Sequence, residues 1–257
     1  RQMCIRDRYE AYNGDEADVN VVADVSEYIE ELARGIAERM TERGLKSGRI
    51  LVYGSNTGSC FPAFGAAVKE YYPQFDTVSF NRTPGLGDDG AIDELSDYLL
   101  NNRDIKGLYA CDESSVPVAV KARSKAIAAF KDIEAAEKAS EKETKKKEPE
   151  STPTPEPSAE SAKPTPNPAL LKQISITAFG CGLSDENLEL FKDNDIYGLC
   201  IEPYYDAAAT ATMMLDRLMQ GEDTAKKVTV NRPIAYGDTI DKYKAIYNEV
   251  KELFDVE

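Results

Sequence analysis

Between residues 24 and 43, apolar side chains return every third or fourth position. Ile29, Leu32, Ala33, Ile36, Ala37 and Met40 share one side of a helix, with Glu and Arg residues interspersed. Asp24 and Glu27 have the spacing of a capping box, and Gly44 supplies a stop. The period then changes. Residues 50–53 form a continuous apolar run of strand length, followed by the small polar loop SNTGS and a helix over about 62–72. The alternation repeats with a strand at 77–80, a helix at 91–101, a strand at 105–111 and a helix capped by Ser114 or Ser115.

Residues 131–168 break the pattern. They are charged, then rich in Pro, Thr and Ser, with almost no aliphatic bulk. Such a segment buries too little surface to offset its ordering entropy, so a fraying charged helix leading into a disordered linker is expected. Order resumes with a strand at 173–179, a helix at 185–192 and a strand at 197–201. An Ala- and Met-rich helix at 204–220, a strand at 228–233 and a helix at 239–254 close the chain. Strands alternating with amphipathic helices predict an α/β fold, a three-layer parallel sheet of the flavodoxin- or Rossmann-like kind. The linker interrupts one crossover, which is tolerable because the cost of loop closure grows slowly with length.

Composition narrows the chemistry. Among 257 residues, 31 Lys+Arg stand against 46 Asp+Glu, a net charge of −15, and there is no His. That field repels phosphate backbones, so no nucleic-acid partner is expected. The absence of His excludes Ser-His-Asp and Cys-His mechanisms and removes the commonest metal ligand. None of the five Cys forms a CxxC, so a zinc ribbon or thioredoxin motif is unsupported. No apolar run is long enough to span a bilayer. The opening RQMCIRDR shows neither apolar periodicity nor turn chemistry and resembles translated adapter sequence. Residues 1–18 are therefore expected to be poorly ordered, with a partly non-native start.

The candidate chemistry lies in loops that follow strands. Ser55, Asn56, Thr57 and Ser59 read as a phosphate cradle like that of flavodoxin, as neutral hydrogen-bonding groups lining a cleft, or as a plain βα turn. A Walker loop is excluded, because no Gly-Lys-Ser/Thr follows. Asp112 and Glu113 can accept hydroxyl hydrogens from a polyol or simply make an acidic helix N-terminus. A paired-carboxylate glycosidase is a poorer reading, since nothing else in the loops suggests an acid in an apolar pocket. Arg82 can meet an anionic group or pair with Asp88 or Asp89. Phe61, Phe64 and Phe80 can stack on a sugar ring or fill the core. Cys60, Cys111 and Cys181 follow strands that are neighbours in the usual doubly wound order. They read as small buried hydrophobes, a disulfide or a soft-metal site.

The order of motifs resembles the type I periplasmic binding proteins, in the sugar-binding, ribose-binding-like branch of ABC-transporter receptors. Four stretches carry the likeness: VVADVSEYIEELARGIAERM; PQFDTVSF with DELSDYLLNNRDIKGLYACDES; ISITAFGCGLSDENLELFKDNDIYGLCIEPYYDAAATATMMLDRLMQG; and VTVNRPIAYGDTIDKY. The resemblance implies a non-catalytic receptor with no cofactor, closing two lobes about a hinge on a carbohydrate. It also implies an ABC permease or membrane sensor as partner and an extracytoplasmic location. Residues 19–130 and 169–203 would form the C-terminal lobe, with 131–168 inserted. Residues 204–257 would hold the hinge return, a helix of an N-terminal lobe not represented here, and the C-terminal helix. Phe61 falls where the family often has a sugar-binding Arg, and Asp112, beside Glu113, where it has Asn. Gly182 falls where the family has Asp, and Glu202 or Ile201 where it has Gln. The alternatives are the ligand-sensing domain of a LacI-type regulator and a flavodoxin-like FMN protein. The stripe Ala207, Ala211, Met214, Leu215 and Leu218 would be exposed if its lobe were missing.

Overall fold

Tyr53, Leu51, Val52 and Ile50 are wholly buried because their strand, β2 (Gly48–Gly54), lies inside a sheet covered on both faces. A computed structural model of the chain describes residues 19–23, 25–145, 176–192 and 195–254. β2 pairs in parallel with β3 (Phe75–Asn81) on one side and β4 (Ile105–Ala110) on the other. β5 (Thr177–Cys181) and β6 (Gly198–Cys200) continue the parallel set, and β8 (Ile234–Ala235) closes it antiparallel to β6. The resulting order is β3-β2-β4-β5-β6-β8. Five parallel strands bring five strand ends, and the loops after them, to one edge. That edge is where open α/β sheets bind ligands.

The two faces carry separate cores. α1 (Val25–Glu42) and α2 (Phe61–Tyr71) cover one, burying Tyr28, Ile29, Leu32, Ile36 and Met40 against Ile50, Val52 and Tyr109. α3 (Asp88–Asn101) and α4 (Ser115–Lys145) cover the other, with Leu95, Leu99, Val116, Ala119 and Ala122 packed on Leu51, Tyr53 and Leu108. Each large side chain so buried contributes roughly 1.5–3 kcal/mol. Gly107 on β4 lets α1 approach closely. A Cβ there would stand 2.9 Å from Met40 Sδ and 3.0 Å from Ile36 Cγ2.

Beyond β5, α5 (Asp185–Lys192) lies beside α4, and α7 (Ile240–Phe254) sets Ile240 and Tyr243 against Leu199, Ile201 and Ala235. A second sheet is only a ribbon: β1 (Asn20–Ala23) pairs in parallel with β7 (Lys227–Val230), and α6 (Tyr204–Met219) packs on β1.

The architecture is the predicted one, with local corrections. β1 and β8 were not foreseen, and β8 makes the sheet mixed at its edge. α4 continues to Lys145 through the charged stretch after 131, where a fraying helix is expected, because residues 131–145 hold good helix formers and neither Pro nor Gly. The remainder of the expected linker and the Asp24–Glu27 box lie outside the described residues or side chains. The apolar stripe of α6 is turned from its expected orientation. Ala211 is buried and Ala207, Met214 and Leu218 are half-buried, while Leu215, Met213 and Met219 are exposed. The ribbon packed on this helix accounts for the covered side.

Candidate functional site

β2 and β4 are adjacent, so the loops after them meet. The Asp112 carboxylate joins them. Its Oδ2 accepts from the Ser55 backbone N–H at 2.7 Å and from Ser55 Oγ at 3.1 Å. Its Oδ1 accepts from Ser114 Oγ at 2.9 Å and from the Ser115 N–H at 3.0 Å. Asp112 thus caps α4, the role expected of Ser114 or Ser115, and holds the β2 loop at the same time. A carboxylate on the Ser55 N–H takes the donor that a flavin phosphate would need, which weighs against a phosphate cradle.

Glu113 lies one strand further on, over the β5 loop. Gly182 there has φ +88°, and a Cβ on it would come within 2.5 Å of Glu113 Cβ. Both the left-handed backbone and the contact therefore require glycine. Asn187, fully buried on α5, donates through Nδ2 to the Gly182 carbonyl at 3.1 Å and to the Cys181 carbonyl at 3.4 Å, fixing this loop. Burial pushes the Glu113 carboxyl above the usual carboxylate range.

At the end of β6, Glu202 pairs with Arg232, whose side chain is only 1% exposed. Arg232 Nη2 also donates to Cys181 Sγ at 2.9 Å, and the guanidinium lies 4.4 Å over the Tyr28 ring. Burial raises the Glu202 carboxyl despite the opposing pull of Arg232. For Glu202 desolvation outweighs the attraction, whereas Arg232 is held above the usual guanidinium range against its own burial by the anionic groups around it, so the buried carboxylate bears the cost of the pair. Tyr204, at the start of α6, is pushed up to about 12 by burial and then by the charge of Glu202.

Five expected site residues, Ser55, Asp112, Glu113, Gly182 and Glu202, thus line one edge in the order of their strands. The others have different partners. Thr57 is buried and donates through Oγ1 to Asn81 Oδ1 at 2.7 Å, anchoring the loop to β3. Asn56 caps a 3-10 turn, accepting from the Gly58 N–H at 3.2 Å. Phe61, half-buried, packs against the α1–α2 core, the second of its expected alternatives. Arg82 pairs within its own loop, to Asp88 Oδ1 at 2.6 Å, the second of its expected alternatives. The Ser59 side chain lies outside the described residues. Arg232, Asn187 and Tyr204 were missed. Of these, Arg232 alone left a trace, as a cation in the otherwise apolar-to-small stretch VNRPIAYG.

A groove of about 370 Å³ lies elsewhere, toward the amino ends of the strands, between Glu31, Arg34, Glu38 and Arg39 of α1 and Tyr197 and Tyr236. Arg39 already covers the Tyr197 ring at 4.3 Å, and the groove shares no residue with the strand-end cluster. Among the described residues no Cys, Asp or Glu grouping has metal-site geometry. No helix among them is long and apolar enough to cross a membrane.

No protein-family model matches the chain, and no curated protein matches it. Solved structures do. A carbohydrate-transporter solute-binding protein from Agrobacterium radiobacter, in complex with D-arabinose, is 17% identical with a TM-score of 0.58, over 90% of this chain and 65% of its own. A periplasmic ribose ABC transporter protein from Conexibacter woesei is 15% identical, TM-score 0.58, over 92% and 65%. An arabinose-binding protein from Geobacillus stearothermophilus is 11% identical, TM-score 0.60, over 89% and 66%. The chain spans about two thirds of the length of these proteins, 65% of the first. Its fold is that of the type I periplasmic binding proteins.

Proposed function

We propose that this chain belongs to a non-catalytic receptor for a carbohydrate, acting outside the cytoplasm and delivering its ligand to an ABC permease. The observation that carries the reading is the row of Ser55, Asp112, Glu113 and Glu202 along the carboxyl edge of a binding-protein sheet. Such a row offers hydroxyl and carboxylate acceptors to a polyol, and charge-assisted bonds to hydroxyls are the strong kind. The fold neighbours support the same class of ligand, since those described above include arabinose and ribose proteins. On this reading β1, β7 and α6 belong to the second jaw, and the connections 201–203 and 231–233 to the hinge about which it closes on the ligand.

The test is a thermal-shift panel of pentoses, hexoses and their amino and acidic derivatives. A ligand that binds only the folded state raises apparent stability with concentration. One sugar class is expected to raise the melting temperature saturably. A panel in which no sugar does so, while flavin mononucleotide does, would replace the receptor with the flavin protein.

A further inference from the structure

β1, β7 and α6 pack chiefly on one another and much less on the six-stranded sheet. The chain passes between these two parts three times. It leaves β1 at Ala23 for α1, runs from Cys200 of β6 to Tyr204 of α6, and runs from Val230 of β7 to Ile234 of β8. Three such connections hold the parts together but leave their angle soft, because a few backbone dihedrals absorb rotation.

One side chain meets all three passages. Arg232 lies in the third, and its guanidinium pairs with Glu202 of the second. The same guanidinium lies 4.4 Å over the ring of Tyr28, in the first turn of α1, just after the first passage. Its Nη2 also donates to Cys181 Sγ of β5 at 2.9 Å, and the Cys181 thiol donates to Glu202 Oε1 at 3.2 Å. The Ile201 N–H joins the second passage to the third directly, donating to the Pro233 carbonyl at 2.8 Å.

A buried ion pair is a poor source of stability, since desolvation is costly and apolar groups of similar volume often serve as well. What this pair adds is direction. The guanidinium is planar, its donors stand in a fixed fork, and its face stacks on an aromatic ring. We infer that Arg232 is the positioning residue of the hinge, the group that sets the angle between the sheet and the unit of β1, β7 and α6. A lysine ammonium, a point charge, can answer Glu202 but cannot also cover Tyr28 and reach Cys181. That the three passages serve as a hinge rests on the receptor reading above. The fixed angle does not, and it is measured without ligand, so either can fail alone. Glu202 also stands in the row assigned to the ligand, so the carboxylate that would meet the sugar is the one Arg232 holds.

The experiment records amide residual dipolar couplings of the labelled, weakly aligned chain. One alignment tensor is fitted to β2, β4 and β5 and a second to α6. In the wild type the two are expected to agree in magnitude and orientation. With Arg232→Met and Glu202→Met together, the chain stays folded and the sheet keeps its couplings, while those of α6 fall roughly twofold as the helix swings on the bare passages. Arg232→Lys, which keeps the charge and loses the fork, gives an intermediate loss. A residue serving stability alone would shift the melting temperature and leave the two tensors in agreement. Couplings of α6 already averaged in the wild type, couplings of α6 unchanged in the folded double variant, or a double variant that does not fold would each overturn the assignment.

Discussion

Asp112 is the residue that joins two strand-end loops into the candidate binding edge, since one carboxylate caps α4 and holds the Ser55 loop. Asp112→Ala should cost about 2 kcal/mol in urea unfolding, and Asp112→Asn less because it keeps an acceptor. Glu202 makes a pH-dependent contribution. Its folded value lies above the ordinary 4.5, so the stability it confers is present below that value and is lost as pH rises through the raised one. Wild type minus Glu202→Gln should therefore fall in stability as pH increases across that window, and a rise would reverse the assignment. Glu202→Ala strands Arg232 in the interior and should cost roughly 3–5 kcal/mol, more than a paired Glu202→Met, Arg232→Met replacement. Asp112 was legible in the sequence because an acidic residue after a strand and before a helix has few uses. Arg232 and Asn187 were not, because their partners lie far along the chain and no local period marks a buried polar group. The partners of Thr57, Phe61 and Arg82 were not legible, because sequence places a residue in a loop or at a helix start without saying which way its side chain turns.

The elements were read more fully than the sites. α1 and α3 announce themselves through a sustained apolar period, and β2 through an unbroken apolar run, since both faces of a parallel strand are covered. β1 and β8 span four and two residues, too short for any period to show. The rotation of α6 was hidden for a related reason: its stripe was visible, but the ribbon that covers part of it was not. Gly107 is the tightest point of α1 on the sheet. Gly107→Ala must push Met40 and Ile36 aside and should cost about 1–3 kcal/mol, measured by chemical denaturation. Leu32→Ala, which opens a cavity at the same interface, should cost roughly 2–5 kcal/mol.

At the scale of the whole molecule, one sheet with two covered faces carries the chain, and a smaller ribbon with α6 stands beside it. Met213 is 57% and Met219 80% exposed on that helix. Binding of a fluorescent apolar dye should accordingly fall in Met213→Lys with Met219→Lys, while the melting temperature stays nearly unchanged. The central claim is that the carboxyl edge of the sheet grips a sugar. It is tested most directly by recording amide chemical shifts of the labelled chain during titration with the sugar that most raises its melting temperature. The account predicts saturable shifts, with a dissociation constant of about 1 mM or tighter, centred on Ser55, Asp112, Glu113, Gly182 and Glu202 and lost in Asp112→Ala. Shifts confined to the Tyr197–Tyr236 groove, or no saturable shift with any sugar, would contradict it.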